Sequence, residues 1–245
     1  MHMQPLPKRI LMKLSGETLL GQQQFGIQAE ACAVVADCLI KIAQLGVQTA
    51  VVIGGGNIFR GINWNDGGMA RTPADQMGML ATLFNGIALS QAILARGAEA
   101  KLMTALECPK VAESYHWMKA QDYLKEGKIV IFVGGTGNPY FTTDTAAALR
   151  ASEIQASVLF KATKVDGIYN KDPIKYSDAI KYHTITYSEV LAQKLQVMDA
   201  TAVALCQSNQ IPIYVFNMRR LWEGDLANVL TDWSAGTLVK EKERE

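Results

Sequence analysis

The sequence lacks the short motifs that mark most nucleotide-binding and hydrolytic enzymes. It has no GxxxxGK[ST] phosphate loop, no GxGxxG dinucleotide fingerprint and no GxSxG nucleophile elbow. These absences argue against a P-loop enzyme, a Rossmann dinucleotide-binding domain and an α/β-hydrolase. The four cysteines and three histidines are scattered without a CxxC pair, so a structural zinc site is not expected.

The chain also has little net charge and no apolar run of membrane length. Its formal net charge of +1 gives no broad basic field for a nucleic-acid backbone. Residues 1–9 contain no apolar core of signal-peptide length, and no run approaches the roughly 18 apolar residues that span a bilayer. With 49% hydrophobic and 19% charged residues, the composition is typical of a globular protein. We expect a cytoplasmic protein that binds neither nucleic acid nor a membrane.

Strand and helix patterns alternate along the first two thirds of the chain. Short apolar runs predict strands at 9–14, 48–53, 100–105, 128–133 and 157–162. Helical periodicity and capping residues predict helices at about 28–44, 72–97, 116–125 and 143–152. Thr72 as N-cap and Pro73 in the first turn mark the start of the longest helix.

The order of elements changes after Lys164. A loop with glycine and proline precedes a β-rich stretch at 179–186, helices from about Ser188 and Asp199, and a strand at 213–216. The βαβ alternation before it favours parallel strands with right-handed crossovers, so we predict an α/β fold, a three-layer αβα sandwich with a mostly parallel central sheet. No linker or repeat divides the chain, and residues 1–245 are expected to form one domain with two lobes.

Three of the apolar strands each end in a glycine-rich loop. The first glycine loop is SGE at 15–17, the second is GGGN at 54–57, and the third is GGTGNPYFTTD at 134–144. Cationic or acidic side chains lie in or beside the three loops at Lys13, Arg60 and Asp144. Because the carboxyl ends of the strands of an open α/β sheet line one crevice, the three loops predict one shared site.

The third glycine loop by itself has two interpretations. Its glycines let the backbone approach a ligand closely, and Thr142 and Thr143 lie where a helix N-terminus presents free N–H groups, which favours a bound anion. A tight βα turn with good capping residues explains the same pattern without any ligand. The two other loops of the same kind favour the anion site.

Charge neutralisation is the chemistry that these residues can provide. Lys13 and Arg60 are cations beside glycine-loop amides, and acids follow at Asp75, Asp144, Asp166 and Asp172. Phosphoryl transfer depends on cations, amide donors and magnesium, with little covalent chemistry from side chains. The pattern therefore indicates phosphoryl transfer, although the Asp-Gly and Asp-Pro pairs at 166–167 and 172–173 are also simple turn formers.

Five segments resemble the bacterial uridylate (UMP) kinases of the amino acid kinase superfamily. They are KLSGE at 13–17, GGGNIFRG at 54–61, DQMGM at 75–79, GTGNPYFTTD at 135–144 and KATKVDG at 161–167. KxSGE marks only the superfamily, whereas DQMGMLAT and TGNPYFTTD are far more specific, and the likeness extends from about Lys8 to Leu238. It implies transfer of the ATP γ-phosphoryl group to UMP, giving UDP and ADP, with magnesium, in pyrimidine nucleotide biosynthesis.

The resemblance implies a set of ATP-binding residues. Lys13 would stabilise the charge that develops in transfer, and Asp144 would orient a lysine or lie in the water shell of magnesium, although it also suits the first turn of a helix. No protein ligand to a metal is assigned. The ATP-binding set is Lys13, Leu14, Ser15, Gly16, Gly56, Arg60, Thr163, Tyr169 and Asp172, the last three in an ATP-side lobe at about 156–240.

The resemblance also implies a UMP-binding set in an acceptor-side lobe at about 8–155. Gly55 and Arg60 would hold the phosphate, since the arginine fork can bind two oxygens. Asp75 would hold the ribose, since a carboxylate can accept hydrogen bonds from both hydroxyls of a vicinal diol. The uridine would contact Thr136, Gly137, Asn138, Pro139, Tyr140, Phe141, Thr142 and Thr143.

Assembly and regulation are further implications of the resemblance. The family is typically hexameric and inhibited by UTP, so a homohexamer and UTP inhibition are expected. Residues 21–26 are GQQQFG, without the acid and extra glycine of the family segment associated with activation by GTP. We therefore do not expect GTP activation to carry over unchanged. The helical spacing of Met77, Met79, Leu83 and Ile87 is typical of a core or subunit interface.

Two alternatives stay open at this point. Another kinase of the superfamily, acting on acetylglutamate, aspartate or carbamate, would keep the lysine and glycine loops but would have no use for Asp75 as a ribose ligand. A non-catalytic nucleotide- or oxyanion-binding protein would bind ATP without consuming it. Competition by UMP but not by small carboxylates distinguishes a UMP kinase from the first alternative, and UMP-dependent ADP release distinguishes it from the second.

Overall fold

The computed structural model describes residues 4–59, 68–195, 197–224 and 226–241. Within these ranges nine strands form the central sheet, in the spatial order β4-β3-β5-β2-β1-β6-β10-β11-β9. The strands are β1 (Arg9–Leu14), β2 (Gln48–Ile53), β3 (Ala100–Thr104), β4 (Glu113–Ser114), β5 (Ile129–Val133), β6 (Val158–Thr163), β9 (Thr184–Ile185), β10 (Ile213–Asn217) and β11 (Thr237–Val239). A separate antiparallel hairpin consists of β7 (Ile168–Tyr169) and β8 (Lys181–Tyr182).

Helices cover both faces of this sheet, which confirms the predicted three layers. One face carries α1 (Ala29–Gln44), α2 (Arg71–Leu94), α7 (Arg220–Glu223) and α8 (Leu226–Thr231). The other carries α3 (Trp117–Lys125), α4 (Thr143–Glu153), α5 (Tyr187–Ala192) and α6 (Ala200–Ser208). Successive residues of a strand point to opposite faces, so Ile10 and Met12 pack under the first group of helices and Leu11 under the second.

The sheet is mostly parallel, as predicted, and β1 lies near its middle. Between neighbouring strands the pairing is parallel except for β10 with β11. The register places Lys13 of β1 opposite Val52 of β2 on one side and opposite Lys161 of β6 on the other. Because parallel strands end at one edge, this arrangement brings the three glycine loops to the same edge of the sheet.

The start of α2 differs from the prediction. The N-cap is Ala70, which has no capping side chain, and Thr72 lies inside the helix. The Thr72 hydroxyl instead donates to the Tyr140 hydroxyl at 3.3 Å. A threonine before a proline is a good capping pattern locally, but here a tertiary contact with the third glycine loop occupies its side chain.

The outer and inner faces of α2 divide the methionine and leucine stripe that the sequence suggested. Met79 and Leu83 are buried in the core, whereas Met77 and Ile87 are more than a third exposed. The four residues therefore do not form one stripe, because Met79 and Leu83 lie on the buried face of α2 and Met77 and Ile87 lie on its exposed face. The large apolar residues on the exposed face of α2 are Met77, Leu80, Phe84, Ile87 and Leu94.

By length and composition, α2 is also apolar enough to cross a membrane, contrary to the expectation that no segment is. Its most apolar window has a mean hydropathy of 1.5, and 50% of that window is buried inside the fold. Packing against the sheet and against α1 explains the inner half of this apolarity. The outer half is the exposed face of α2.

Candidate active site

Two lysines and one aspartate meet at the ends of the central strands. Lys13 and Lys161 are register partners on β1 and β6, so their side chains leave the sheet on the same face. Lys13 Nζ lies 2.7 Å from Asp144 Oδ1, and Lys161 Nζ lies 2.5 Å from Asp144 Oδ2. Each of these side chains is at most 14% exposed. This lysine–aspartate cluster has two positive charges for one negative charge, which suits an anionic ligand.

The charges of the cluster fix the protonation state of its acid. Burial alone would raise the pKa of the Asp144 carboxyl, but the charges of Lys13 and Lys161 outweigh burial and lower that pKa below its ordinary value of 3.8. Burial lowers the pKa of the Lys161 ammonium, and the neighbouring Asp144 carboxylate opposes this effect. Asp144 is therefore ionised at neutral pH, where it orients both lysines and does not act as a proton acceptor.

The N-terminus of α4 holds Asp144 in place. Thr142 is the N-cap, and its hydroxyl oxygen accepts hydrogen bonds from the N–H groups of Asp144 at 3.0 Å and Thr145 at 3.2 Å. The hydroxyls of Thr142 and Thr145 both donate to Asp199. Asp199 in turn is the N-cap of α6. Asp144 is thus both an acid in the first turn of a helix and the partner of a lysine, as the two interpretations of the sequence suggested. Asp199 joins α4 to α6.

The three glycine loops meet beside this cluster. A methyl group added at Gly54 would lie 3.4 Å from the amide nitrogen of Gly16 and 3.6 Å from Thr143 Oγ1. Gly54 N–H also donates to Leu14 O at 3.0 Å, which joins the ends of β1 and β2. The side chain of Leu14 is buried in the core, so only its main chain faces the loops. The convergence expected from the strand ends is confirmed.

Contact with α2 requires glycine in the second loop. A Cβ atom at Gly55 would lie 2.8 Å from Ala81 Cβ and 2.9 Å from Gly78 O, closer than real contacts allow. The backbone of Gly55 therefore rests directly on α2, and Gly56 follows in the turn. Arg60, which was assigned to the phosphates of both nucleotides, lies outside the described residues.

The first glycine loop is a short 3₁₀ turn at Gly16–Leu19, capped by Ser15. The Ser15 hydroxyl accepts a hydrogen bond from Glu17 N–H at 3.3 Å. Glu17 forms an ion pair with Lys164 at 2.6 Å, which links this loop to the segment after β6. Ser15 and Gly16 thus lie between β2 and the donor-side residues that the sequence assigned to ATP.

The third glycine loop lies across the first turns of α2. Asp75 Oδ2 accepts a hydrogen bond from Tyr140 N–H at 2.7 Å, and the Arg71 guanidinium lies 4.8 Å from the centroid of the Tyr140 ring. Tyr140 has a φ of 72°, a left-handed conformation that costs energy in a non-glycine residue. Asp75 helps to hold that conformation. The structure therefore brings Asp75 together with the residues expected to contact uridine.

The rest of that loop forms an exposed rim. Thr136 Oγ1 accepts from Asn138 N–H at 3.2 Å and donates to Asn138 O at 3.1 Å, which closes a small turn. At the base of the loop, Gly134 N–H donates to Thr82 Oγ1 of α2 at 2.8 Å. The remaining residues of the predicted uridine-binding set are Gly137, Pro139, Phe141, Thr142 and Thr143, of which Phe141 and Thr142 are exposed.

A cavity of about 680 Å³ opens beside Lys161. Its walls include Thr163, Tyr169 and Asp172, the three residues that the resemblance to the uridylate kinases assigns to the adenine nucleotide. The Tyr169 hydroxyl donates to Asp166 at 2.5 Å, which joins β7 to the turn before it. Asp172 accepts a hydrogen bond from Ile174 N–H at 2.9 Å, so its expected turn chemistry is present as well.

Sequence reasoning assigned no role to Lys161. The local signal for it was present, because Lys161 interrupts the apolar strand VLFKAT as Lys13 interrupts RILMKL. A lysine near the carboxyl end of a buried strand is costly unless it is paired or functional. Lys161 belongs to the lysine–aspartate cluster and also lines the cavity, so it connects the two parts of the site.

Comparison with known proteins decides the family. A family model described as the amino acid kinase family matches residues 8–217. The chain belongs to the amino acid kinase family. A relative named uridylate kinase, from Protochlamydia amoebophila, is 66% identical over 241 residues, with 98% of this chain and 96% of that protein covered. The uridylate kinase of Magnetococcus marinus is 52% identical over 235 residues, with 96% and 97% covered.

Solved structures agree with this membership of the amino acid kinase family. The crystal structure of UMP kinase from Bacillus anthracis has a TM-score of 0.88 at 34% identity and covers 98% of each chain. That of UMP kinase from Ureaplasma parvum has a TM-score of 0.87 at 35% identity, with 96% of this chain and 99% of that one covered. The expected fold and the resemblance to the uridylate kinases are confirmed.

Proposed function

We propose that this amino acid kinase family member is a UMP kinase, which transfers the γ-phosphoryl group of ATP to UMP and yields UDP and ADP. The observation that carries the proposal is the lysine–aspartate cluster where three glycine loops meet. It places two cations at one point beside the glycine-loop backbone, and phosphoryl transfer depends on such charge neutralisation. The names of the two similar proteins, both uridylate kinases, support the choice of UMP as acceptor.

The proposed reaction is a direct in-line displacement. A phosphate oxygen of UMP forms a bond to the γ-phosphorus of ATP while the bond from that phosphorus to the β,γ-bridging oxygen breaks, and ADP leaves. Lys13 and Lys161 neutralise the charge on the migrating group, and Asp144 holds both ammonium groups in position. No general base is required, because the attacking phosphate oxygen is already an anion.

Magnesium is proposed to enter with ATP. Among the residues that the structure describes, no three histidine, cysteine, aspartate or glutamate side chains are grouped to hold a metal ion. Both Asp144 oxygens are paired with lysines. This donor set fits a magnesium ion carried by substrate phosphates and water. When bound, it would neutralise part of the phosphate charge.

The two nucleotides are proposed to bind on opposite sides of the cluster. The cavity of about 680 Å³ beside Lys161 would take ATP, with Thr163, Tyr169 and Asp172 around the nucleoside. The third glycine loop and Asp75 would take the uridine and ribose of UMP. This assigns residues of about 156–240 to the donor and those of about 8–155 to the acceptor.

An acceptor panel tests the proposed function directly. With ATP and magnesium, ADP formation should depend on UMP and should be much slower with CMP and acetylglutamate; dUMP is included to measure the preference for the 2′-hydroxyl. A carboxylate acceptor that outperforms UMP would indicate a different kinase of the family. Binding of ATP without ADP release in the presence of any acceptor would indicate a binding protein.

Replacing Asp75 by asparagine is expected to raise the KM for UMP by about tenfold or more and to leave the KM for ATP within about twofold. In the wild type the Asp75 carboxylate accepts a hydrogen bond from Tyr140 N–H and is proposed to accept others from the ribose. A hydrogen bond to a charged group is worth roughly 1.5–3 kcal/mol, and the variant loses that charge. Steady-state kinetics with each substrate varied measure the split. Asp122→Asn, an exposed aspartate on α3, is the matched control. A larger effect on ATP than on UMP would contradict the assignment.

The exposed face of α2 supports the proposal of a homo-oligomer. Met77, Leu80, Phe84 and Ile87 recur at spacings of three or four residues and form an apolar stripe along the helix, and the exposed Gln91 separates this stripe from Leu94. Such a stripe on a soluble enzyme indicates an interface. A second copy would place its own stripe against this one about a two-fold axis, and a homohexamer with dihedral symmetry contains such a contact.

Replacing Phe84 by glutamate is expected to shift the protein to a smaller assembly. Phe84 is 61% exposed in the isolated chain and lies at the centre of the stripe, so a charge there would be buried unpaired in an interface. Analytical ultracentrifugation of wild type and variant measures the change. Val34→Glu on α1 replaces an exposed apolar residue elsewhere and should leave the mass unchanged. An unchanged mass for Phe84→Glu would exclude this face as an interface.

The proposed UMP kinase activity also suggests how the protein is regulated and where it is located. UTP shares the uridine and phosphates of UMP, so it would compete at the acceptor side. Residues 21–26 lack an acidic side chain, and we do not propose GTP activation through them. We propose a cytoplasmic location, where both nucleotide substrates are available.

A further inference from the structure

Two buried amides lie directly beneath the glycine loops and have no part in the chemistry described above. Asn57 ends the second glycine loop and is 2% exposed, and Asn85 lies in the middle of α2 and is 0% exposed. A buried carboxamide is costly unless its polar atoms are all bonded. The inner face of α2 around Asn85 is otherwise packed with apolar side chains such as Leu83 and Leu89.

The two amides bond to each other and to both sides of the site. Asn85 Nδ2 donates to Asn57 Oδ1 at 2.7 Å, and Asn57 Nδ2 donates to Asn85 Oδ1 at 2.9 Å. The second N–H of Asn85 donates to Gly54 O at 2.7 Å, and that of Asn57 donates to Gly26 O at 2.8 Å. All four amide N–H donors are therefore occupied within the protein.

The backbone of the first glycine loop rests on this amide pair. A Cβ atom at Gly16 would lie 2.2 Å from Asn57 Oδ1, 2.5 Å from Gly54 O and 2.9 Å from Asn85 Nδ2. The pair thus touches the first glycine loop by packing and the second by a hydrogen bond. Because its donors are all used, it has none left for a phosphate, so its effect on a substrate must be indirect.

We propose that Asn85, together with Asn57, is a positioning residue that fixes the distance between the first and second glycine loops. The proposal rests on the proposed function and on the assignment of Gly16 in the first loop to ATP and of Gly55 in the second loop to the UMP phosphate. In-line transfer requires the two phosphates at one separation, and a misplacement of about 1 Å can lower the rate by about 10²-fold. An apolar residue at position 85 would fill the space but would not form the hydrogen bond that holds the Gly54 carbonyl.

The experiment is steady-state kinetics of Asn85→Leu, which keeps the number and branching of the side-chain heavy atoms and removes both hydrogen-bonding groups. We expect kcat to fall by about 10²-fold, because each loop still binds its nucleotide but the separation is no longer fixed. The KM values for ATP and UMP should change by less than about threefold. Leu89→Ala, a cavity in the same helix one turn away, is the control for lost stability and should keep a kcat within about twofold of wild type below its melting temperature.

A double-variant cycle tests whether the amides act as one unit. Asn57→Ala, which alters a loop and not a helix interior, should cost about as much kcat as Asn85→Leu, and the double variant should cost little more than either. The proposal would be overturned if the losses of kcat in the two single variants added up in the double variant. It would also be overturned if either folded single variant kept a wild-type kcat, or if Leu89→Ala lowered kcat by as much as they do. Failure of both single variants to fold would also overturn it, because the pair would then be structural. A wild-type protein without UMP-dependent ADP formation would instead refute the proposed function.

Discussion

Replacing Lys13 by alanine is expected to lower kcat by about 10³-fold. Lys13 contributes one of the two cations beside the migrating phosphoryl group, and loss of one such preorganised group typically costs about 10²–10³ in rate. The remaining Lys161 would then form a one-to-one pair with Asp144, so the excess positive charge of the site would also be lost. The measurement is UDP formation at saturating ATP and UMP.

The matched control for this prediction is Lys128→Ala. Lys128 is a partly buried lysine in the turn before β5 that pairs with Glu126 at 2.6 Å, outside the candidate active site. It should retain nearly full activity. Lys161→Ala should resemble Lys13→Ala, since both ammonium groups contact the same carboxylate. Near-wild-type turnover of Lys13→Ala would show that the cluster is not the catalytic centre.

Replacing Asp144 by asparagine is expected to destabilise the protein by about 3–5 kcal/mol, as removal of one partner from a buried ion pair does. The neutral amide would leave Lys13 and Lys161 close together, buried and without a counter-charge. Turnover should fall sharply as well, because the two ammonium groups would separate. Urea unfolding and UDP formation at neutral pH measure the two effects.

The acid sensitivity of the wild type provides a second readout for Asp144. The lysines lower the pKa of its carboxyl in the folded protein, so this pairing stabilises the fold above the unfolded pKa near 3.8. The stabilisation is lost as the pH falls through the lower, folded pKa. Asp144→Asn should therefore lose less stability on acidification than the wild type does. The control Asp122→Asn removes an exposed ion pair and should lose as much stability on acidification as the wild type does. If Asp144→Asn also lost as much stability as the wild type, the prediction would be contradicted.

Much of the fold could be predicted from local sequence signals. Alternating apolar runs and amphipathic stretches placed β1, β2, β5 and α1 within about two residues, because these signals depend on the side-chain pattern of a few neighbouring residues. Short elements such as β4, β11 and α7 were missed. A two- or three-residue strand has no periodicity of its own and exists only because a neighbouring strand pairs with it.

The candidate site was predictable to a similar degree. Glycines at strand ends, a lysine in an apolar strand and a capped helix start all carry local signals, which is why Lys13, Gly16 and Asp144 could be named in advance. The sequence indicated only that a helix begins near Asp199. Its bonds to Thr142 and Thr145 depend on how α4 and α6 pack, and no local pattern reports that packing.

The α/β class, the three glycine loops and the residue types suited to phosphoryl transfer all follow from local sequence, since each depends on chemistry within a few neighbouring positions. The contacts of the folded chain were needed to show that Lys13 and Lys161 share one carboxylate, that Asn85 supports two loops, and that α2 has a buried and an exposed apolar face. Strand register and helix packing set these contacts, and both depend on how distant segments fill a common core.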